Sequence, residues 1–302
     1  MSEQKSAFIA IVGRANVGKS SILNKILGQK VAIVSSKPQT TRNRIIGVHT
    51  NGDVQIVFID TPGLHKPHNS LGEYMVRSVK ESVGGVDACL LVAECDRLPG
   101  DTEKQFMERF KAQKIPAILA LNKIDKLSDK TMLMEKIAAY SSECDFEDIV
   151  PVSAQTGSGI KDLIGVLEKR ASEGIHFFDD DALTDQPDRI FAGEIVREKI
   201  LRLTDKEIPH GVAVVVEKFK QRDKSDIIDI DATIYCEKQS HKGIIIGKKG
   251  DMLKKIGTYA RQDMERFFDC KVNLNLWVKV KENWRDREDL LRTLGFDSSD
   301  FD

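Results

Sequence analysis

Short apolar runs alternate with longer amphipathic stretches along the first 170 residues of the chain. Uninterrupted apolar runs predict strands that are buried on both faces, whereas apolar residues three and four positions apart predict helices. The predicted strands span 8–12, 45–49, 54–59, 88–93, 117–121 and 149–152, and the predicted helices lie near 18–28, 70–84, 102–113, 131–142 and 160–171. Their alternation predicts an α/β domain with a mostly parallel sheet and helices on both faces.

The pattern changes after residue 172, where a smaller α+β domain is predicted. Residues 173–188 contain an acidic cluster and little periodicity, so we interpret them as a linker. A helix near 189–203 then precedes strands near 212–220 and 227–236, a helix near 251–268 and a strand near 272–280. We therefore predict domains over 1–172 and 189–282, followed by a C-terminal helix and an acidic tail over 283–302.

Residues 13–20 form the pattern G-x-x-x-x-G-K-S directly after the first predicted strand. Gly13 and Gly18 lack side chains, so backbone N–H groups can surround a chain of phosphates. Lys19 supplies a positive charge near the terminal phosphates, and the Ser20 hydroxyl can bind Mg²⁺. The following helix directs the positive end of its dipole at the same anions. A flexible surface turn is the alternative, but the strand in front of the loop favours a phosphate site.

Three further motifs follow in order, each at the end of a predicted strand, where α/β sheets bind ligands. Asp60, the first residue of Asp-Thr-Pro-Gly, can hold Mg²⁺ through water, and Gly63 lets a backbone N–H approach the last phosphate. Asn-Lys-Ile-Asp follows at 122–125 and Ser-Ala at 153–154. Together the motifs predict the nucleotide-binding residues Gly13, Asn16, Val17, Gly18, Lys19, Ser20, Ser21, Asp60, Gly63, Asn122, Lys123, Asp125, Ser153 and Ala154.

Asp125 is the residue that distinguishes adenine from guanine. Guanine presents two adjacent donors that one carboxylate can accept, whereas adenine presents an acceptor and leaves the carboxylate unpaired. Because charge-assisted hydrogen bonds contribute about 1.5–3 kcal/mol each, a carboxylate at this position predicts GTP. We expect Asn122 to tie the loops together, Lys123 to lie along the base, and the Ala154 N–H to meet guanine O6.

In these motifs the first 170 residues resemble the GTPases of the TrmE–Era–EngA group. The similarity to the Era family continues through Pro-Gln-Thr-Thr-Arg at 38–42 and into the second domain, so it covers nearly the whole chain. The resemblance implies that Thr41, rather than the adjacent Thr40, ligates Mg²⁺ when the γ-phosphate is present. The predicted catalytic residues are Lys19, Thr41, Gly63 and Asn16, and the predicted magnesium ligands are Ser20, Thr41 and Asp60.

One position departs from the pattern of Ras-type GTPases. Those enzymes place a water-orienting glutamine directly after the Asp-x-x-Gly glycine, where this chain has Leu64, which cannot form a hydrogen bond. Asn16 matches the asparagine that ligates potassium in relatives of this group. Potassium-stimulated hydrolysis is therefore our hypothesis, with a polar turn residue as the alternative. We interpret His65 as an exposed loop residue rather than a general base.

A second motif, G-x-x-G, lies at 247–250 after an apolar run and before a predicted helix. The pattern is weak alone, but its two central lysines and its surroundings resemble a KH domain of the type II arrangement. In KH domains the glycine turn clamps the backbone of about four single-stranded nucleotides. The predicted RNA-binding residues are Ile244, Ile245, Ile246, Gly247, Lys248, Lys249 and Gly250, with lysines on phosphates and isoleucines against bases. A structural module without a ligand is the alternative.

Charge and composition narrow the class of protein. The net charge is only −1, yet residues 238–261 carry seven lysines and arginines against one acid, which suggests a local polyanion contact or a solvated helix face. No apolar stretch reaches the roughly 18–20 residues of a membrane-spanning helix, and the polar start predicts no signal peptide. The five cysteines include no C-x-x-C pair, so neither a disulfide scaffold nor a zinc site is expected.

We therefore expect a GTP-hydrolysing switch that binds single-stranded RNA and depends on Mg²⁺. The Era resemblance implies the 3′ end of 16S ribosomal RNA as ligand, the 30S ribosomal subunit as partner, and assembly of that subunit as role. A cytoplasmic location is expected, with peripheral contact at the inner face of the membrane left open. Two alternatives remain: a GTPase whose second domain docks a protein or membrane surface, and a phosphotransferase of small molecules.

Overall fold

A computed structural model describes residues 3–63, 69–127, 129, 131–205, 208, 211–223, 225–294 and 296. Within this part of the chain the residues form two compact units. The second unit comprises the described residues from Gln186 onward together with Ile33–Thr40 and a short stretch that ends at Tyr74. The first unit contains the remaining residues. Each unit has its own hydrophobic core.

The first unit is built on one large sheet. Its strands are β1 (Lys5–Val12), β2 (Ile45–Asn51), β3 (Val54–Asp60), β4 (Ala88–Glu94), β5 (Ala117–Asn122), β6 (Asp148–Pro151) and β7 (Ser172–Glu173). They are arranged in the order β2-β3-β1-β4-β5-β6, and β7 pairs with the start of β1. The five neighbouring strands β3, β1, β4, β5 and β6 run parallel to one another, while β2 and β7 are antiparallel to their neighbours. The predicted mostly parallel sheet is therefore confirmed.

Helices cover both faces of this sheet. They are α1 (Lys19–Leu27), α2 (Ser70–Ser82), α3 (Asp101–Gln113), α4 (Thr131–Glu143) and α5 (Ile160–Glu168). Alternate residues of β1 enter opposite cores: Ile9 and Ile11 pack with α1 and α5, whereas Ala10 and Val12 pack with α2, α3 and α4. Burial on both faces explains why these strands are apolar without interruption.

The segment predicted as a linker is held on the first unit as far as Asp185. The Gln55 side chain accepts the N–H groups of Phe177 at 2.8 Å and Phe178 at 3.1 Å, and donates to the Phe178 carbonyl at 2.9 Å. Farther along, Thr184 forms an isolated antiparallel bridge with Gly47 in β2. Composition alone concealed these contacts because their partners lie more than 100 residues earlier in the chain.

The second unit is a smaller α+β structure. Its elements are α6 (Asp188–Leu203), β8 (Val212–Gln221), β9 (Ile227–Cys236), α7 (Gln239–Ile246), α8 (Asp251–Phe268), β10 (Lys271–Val280) and α9 (Glu288–Thr293). The sheet order is β10-β9-β8, with β9 and β10 parallel and β8 antiparallel. Apolar residues of α6 and α8 pack on one face of this sheet.

Two features of the second unit differ from the sequence prediction. Helix α7 was missed, because its polar first half and its run of isoleucines lack a clear amphipathic period. The predicted C-terminal helix is interrupted: a single turn at Trp284–Asp286 precedes the six-residue α9. The Trp284 ring is buried, and its N–H donates to the Gly211 carbonyl at 3.1 Å, so tertiary packing fixes this break. The predicted tail after residue 296 lies outside the described residues.

Candidate functional site

The phosphate-binding pattern forms the turn between β1 and α1, at the carboxyl edge of the sheet. The Lys19 ammonium lies inside this turn and donates to the carbonyls of Gly13 at 3.2 Å and Arg14 at 2.9 Å. Gly63 approaches the turn so closely that a Cβ built on it would lie 2.6 Å from the Ala15 backbone. Any side chain at position 63 would therefore push the two loops apart.

Ser20, Asp60 and Thr41 meet beside this turn, although they are far apart in sequence. The Ser20 hydroxyl lies 2.9 Å from the Thr41 hydroxyl and donates to Asp60 Oδ2 at 2.6 Å. Asp60 Oδ1 is buried and has no hydrogen-bond partner among the described residues. Hydroxyl and carboxylate oxygens are the ligands that Mg²⁺ prefers, and an unsatisfied buried carboxylate oxygen favours a cation. The three residues therefore fit a magnesium site.

Burial also shifts the proton affinities of two groups in this cluster. Desolvation raises the pKa of Asp60 to about 6, against the opposing charge of Lys19 and the hydrogen bonds from Ser20 and Thr61. Desolvation lowers the pKa of Lys19 to about 8, against the opposing effect of Asp60. Each buried group is therefore ionised at a cost that a bound cation or phosphate would offset.

The hydroxyl groups of Thr40 and Thr41 have different surroundings. The Thr40 hydroxyl donates to the Lys37 carbonyl at 2.6 Å and lies 2.8 Å from the Ser35 hydroxyl. The Thr41 hydroxyl instead lies at Ser20. The structure thus brings Thr41, and not its neighbour, to the predicted metal ligands.

The residues predicted to contact the base lie together at the ends of β5 and β6. The Asn122 amide donates to the Val17 carbonyl at 2.8 Å and accepts the Ala154 N–H at 3.0 Å, so it joins three loops as expected. The Ser153 hydroxyl donates to Asp125 Oδ1 at 2.5 Å, and Asp125 is exposed. The Ala154 N–H is bonded to Asn122 here, and its contact with guanine O6 stays a prediction.

Glu94 is a residue of this site that the sequence analysis missed. It ends β4, and its carboxylate pairs with the Lys123 ammonium, which also donates to the Asn16 carbonyl at 2.8 Å. Burial would raise the pKa of Glu94, but the hydrogen bond and charge of Lys123 outweigh it and hold the pKa below its usual value. An acid at the carboxyl end of a central strand was the signal available in the sequence.

The remaining predicted nucleotide residues occupy varied positions. Val17 is buried and contributes its carbonyl, Asn16 is exposed at the rim of the turn, and Ser21 is half-buried at the start of α1. Leu64 and His65 lie outside the described residues, so the prediction about the attacking water is not addressed by the geometry.

The second predicted site is the turn between α7 and α8. Lys248 and Lys249 are both exposed at its centre. Gly247 has φ 75° and ψ 178°, and a Cβ built on it would lie 2.7 Å from the Met252 Cβ. Only glycine tolerates that conformation and that contact, so the backbone of the turn is tightly specified.

The predicted isoleucine wall needs a correction. Ile245 is fully buried in the core of the second unit, because α7 directs it toward the sheet. It therefore cannot contact a base. Ile244 is 51% exposed and Ile246 is half-buried, so these two residues remain candidates for the wall.

Comparisons with known proteins find a GTPase domain and a KH domain in this order along the chain. A family model described as a 50S ribosome-binding GTPase matches residues 8–123, and one described as a KH domain matches residues 207–285. The chain is 48% identical to GTPase Era of Clostridioides difficile strain 630, over 97% of this chain and 98% of that protein. It is 50% identical to GTPase Era of Ruminiclostridium cellulolyticum, over 97% of each chain.

Two solved structures share the complete architecture. One is Era in complex with MgGDPNP and nucleotides 1506–1542 of 16S ribosomal RNA, and the other is a variant of Aquifex aeolicus Era bound to GDP and AlF₄⁻. Each has a TM-score of 0.93 and 37% identity, and covers 97% of this chain and 99% of its own. No helix among the described residues has the length and hydropathy to cross a membrane.

Proposed function

Since the chain belongs to the Era family of GTPases, we propose that it is a GTP-hydrolysing switch that binds the 3′ end of 16S ribosomal RNA during assembly of the 30S subunit. The observation that carries this proposal is the presence in one chain of a triphosphate site with a guanine-type edge and of a G-x-x-G turn with two exposed lysines. The similar Era structure with both MgGDPNP and 16S RNA supports both ligands.

Binding of the triphosphate rests on groups that are already in position. The turn after β1 supplies backbone N–H groups, and Lys19 is held inside it by two carbonyls. When phosphates bind, they supply a stronger partner for this buried ammonium than carbonyl oxygens do. Asn122 holds the phosphate turn and the loop after β6 in fixed positions relative to each other, while Ser153 orients the carboxylate of Asp125 for guanine.

Ser20, Asp60 and Thr41 are the residues that would hold Mg²⁺. When bound, the ion neutralises negative charge on the phosphates as the terminal bond breaks. We infer that the segment before Thr41 must be ordered to keep its hydroxyl at this cluster, so that the threonine responds to the presence of the γ-phosphate.

Hydrolysis in this chain proceeds without the glutamine of Ras-type enzymes, since position 64 is leucine. We propose that a potassium ion beside Asn16 supplies positive charge that an arginine would supply elsewhere. Asn16 is exposed at the rim of the turn, and Lys123 fixes its backbone carbonyl. Turnover should be higher in KCl than in NaCl for the wild type and equal in both for Asn16→Ala. Equal rates in the wild type would contradict this part of the proposal.

RNA binding is assigned to the turn between α7 and α8. The two glycines allow a nucleic-acid backbone to approach, Lys248 and Lys249 neutralise phosphates, and Ile244 offers an exposed apolar surface for a base. A KH domain holds about four nucleotides in this way, with an affinity that decreases as the salt concentration rises.

The test is to measure the affinity for a 16S 3′-end oligonucleotide with GDP and with a non-hydrolysable GTP analogue. We expect tighter binding in one of the two states, because the ordered loops differ between them. Equal affinities would defeat the switch, and absence of RNA binding would favour a docking domain for proteins or membranes. A cytoplasmic location is part of this proposal. Flotation with anionic vesicles tests peripheral contact with a membrane.

A further inference from the structure

Helix α6 buries three consecutive charged residues, which is unusual for a helix of a small α+β unit. Arg197 is 2% exposed, Glu198 is fully buried and Lys199 is 5% exposed. Charged side chains are almost never buried to this extent unless they are paired. Lys199 pairs with Glu198 at 2.8 Å and with Asp263 of α8, which explains one of the three within the unit itself.

Arg197 holds the end of Ile33–Thr40, the segment that belongs to the second unit. Its guanidinium donates to the carbonyl of Thr40 and lies 3.5 Å from the carbonyl of Gln39. Glu194, one turn earlier in α6, accepts from the same guanidinium at 2.7 and 2.5 Å and so fixes its plane. A planar fork that is held from behind can orient two neighbouring carbonyls, which a single ammonium cannot do.

The beginning of the same segment is held by the next residues of the α6 face. Glu198 accepts the Val34 N–H at 3.0 Å, and Arg202 donates to the Val34 carbonyl at 2.9 and 3.1 Å. Glu198 and Arg202 also pair with each other at 3.0 Å. Their contacts with the segment go to the backbone of Val34, so α6 fixes the course of the main chain at that residue whatever side chain it carries.

The residue that follows the segment is Thr41, whose hydroxyl lies at Ser20. We propose that Arg197, supported by Glu194, is a positioning residue for Thr41. By holding the carbonyls of Gln39 and Thr40, it fixes the peptide that presents the Thr41 hydroxyl to Ser20 and Asp60. This proposal rests on the proposed GTPase switch and adds that a buried arginine positions its metal threonine.

A physical consequence follows for the two nucleotide states. When the γ-phosphate is present, the metal site holds Thr41 and Arg197 holds the adjacent Thr40. Each of these contacts then lowers the entropy cost of forming the other. When the γ-phosphate is absent, the contact with α6 gains no such support from the metal site. Loss of Arg197 should therefore weaken the triphosphate state selectively and leave diphosphate binding almost unchanged.

The test uses the full-length protein and four variants: Arg197→Ala, Arg197→Lys, Glu194→Gln and the control Arg189→Ala. Arg189 lies on the same helix and also donates to two carbonyls, those of Val216 and Glu217, but both are in β8. For each variant one measures kcat and KM for GTP, the half-saturating Mg²⁺ concentration, the affinity for GDP and the thermal midpoint.

For Arg197→Ala we expect kcat to fall about tenfold, a change of about 1.4 kcal/mol in the barrier. The Mg²⁺ requirement with GTP should rise several-fold, while the affinity for GDP stays within about twofold of the wild type. Glu194→Gln should give a smaller change in the same direction. Arg197→Lys should recover less than half of the rate that Arg197→Ala loses, because the lysine ammonium cannot span both carbonyls. Arg189→Ala should match the wild type.

Two results would overturn the proposal. One is an Arg197→Ala protein with wild-type kcat and Mg²⁺ requirement, and the other is an equal loss of GDP and GTP binding in Arg197→Ala and Glu194→Gln. If Arg197→Ala does not fold, the same measurements on Glu194→Gln and Arg197→Lys test the proposal, and the same two results would overturn it. A wild-type protein without GTP hydrolysis or RNA binding would instead refute the proposed function.

Discussion

The Ser153 hydroxyl donates a hydrogen bond of 2.5 Å to Oδ1 of Asp125, although 28 residues separate them. This contact fixes the rotation of the exposed carboxylate before any ligand is present. Asp125 therefore offers its oxygens in one orientation, and less side-chain entropy is lost when guanine binds. We therefore expect the base specificity of the chain to depend on both residues.

Replacing Asp125 with Asn should change the preferred base. An amide offers one acceptor and one donor, so it no longer accepts both guanine donors but can pair with xanthine, which has a carbonyl in place of the exocyclic amine. We expect the affinity for GTP to fall about 100-fold and the affinity for XTP to rise, measured by titration with fluorescent nucleotides. As a comparison, Ser153→Ala should weaken GTP about tenfold without favouring XTP. Unchanged GTP affinity in Asp125→Asn would argue against the assigned guanine edge.

The magnesium requirement should depend on pH through Asp60. Burial raises the pKa of this carboxyl to about 6, so below that pH it binds a proton and competes with the cation. Hydrolysis measured against Mg²⁺ concentration should show a half-saturating value that is constant above pH 7. It should increase toward about tenfold per pH unit below pH 6. The affinity for GDP measured in EDTA should not decrease in this way below pH 6. An equal decrease in EDTA would contradict the role of Asp60.

Nucleotide affinity should also decline on the alkaline side because of Lys19. Burial lowers the pKa of this ammonium to about 8 in the nucleotide-free protein, so its charge is complete below that pH and is lost above it. A bound triphosphate favours the ammonium, so nucleotide binding at pH 9 should take up a proton. Isothermal titration in two buffers of different ionisation enthalpy measures that uptake. No uptake at pH 9 would show that Lys19 is already protonated without ligand.

The lysines of the G-x-x-G turn should determine the salt dependence of RNA binding. Each neutralised phosphate contributes about 0.7 to the slope of log K against log salt for a single strand. Lys248→Ala combined with Lys249→Ala should therefore lower the slope by about 1.4 and leave GTP turnover unchanged. Lys104→Ala combined with Lys111→Ala removes the same charge from the surface of α3 and should not alter the slope. A change of equal size in this control would indicate a non-specific charge effect.

The two glycines of that turn should differ in their tolerance of a side chain. A Cβ on Gly247 would lie 2.7 Å from Met252, whereas a Cβ on Gly250 would meet nothing within 4 Å. Gly247→Ala should therefore cost about 3 kcal/mol or more, and Gly250→Ala about 1–2 kcal/mol for its left-handed backbone. Tryptophan fluorescence during urea unfolding reports on this unit, because Trp277 and Trp284 both belong to it. Equal losses in the two variants would show that the backbone of the turn adapts.

Several expectations from the sequence are confirmed because they depend on local chemistry. The apolar run predicted at 8–12 is the end of β1 (Lys5–Val12), and the phosphate turn follows it directly. The predicted helix near 251–268 has the same bounds in α8. A strand buried on both faces must be apolar, and a phosphate cradle must consist of consecutive backbone groups, so short stretches of sequence carry this information.

Other features could not be inferred because they depend on distant partners. Arg197, Glu198 and Lys199 resemble a solvated helix face in the sequence, yet they are buried under Ile33–Thr40 and against Asp263. Helix α7 also escaped prediction, since the isoleucine run looks like a strand until Ile245 is placed in the core.

The sequence by itself determined the class of fold, the identity of the phosphate turn and the guanine-type motif, since each is encoded in a few neighbouring residues. The family resemblance favoured Thr41 over Thr40, but only the tertiary structure shows the Thr41 hydroxyl at Ser20 and the contacts of α6 with the segment before it. The physical reason is that residue spacing alone cannot distinguish the hydroxyls of two adjacent threonines. Their directions differ only after the backbone has been fixed by side chains more than 150 residues away.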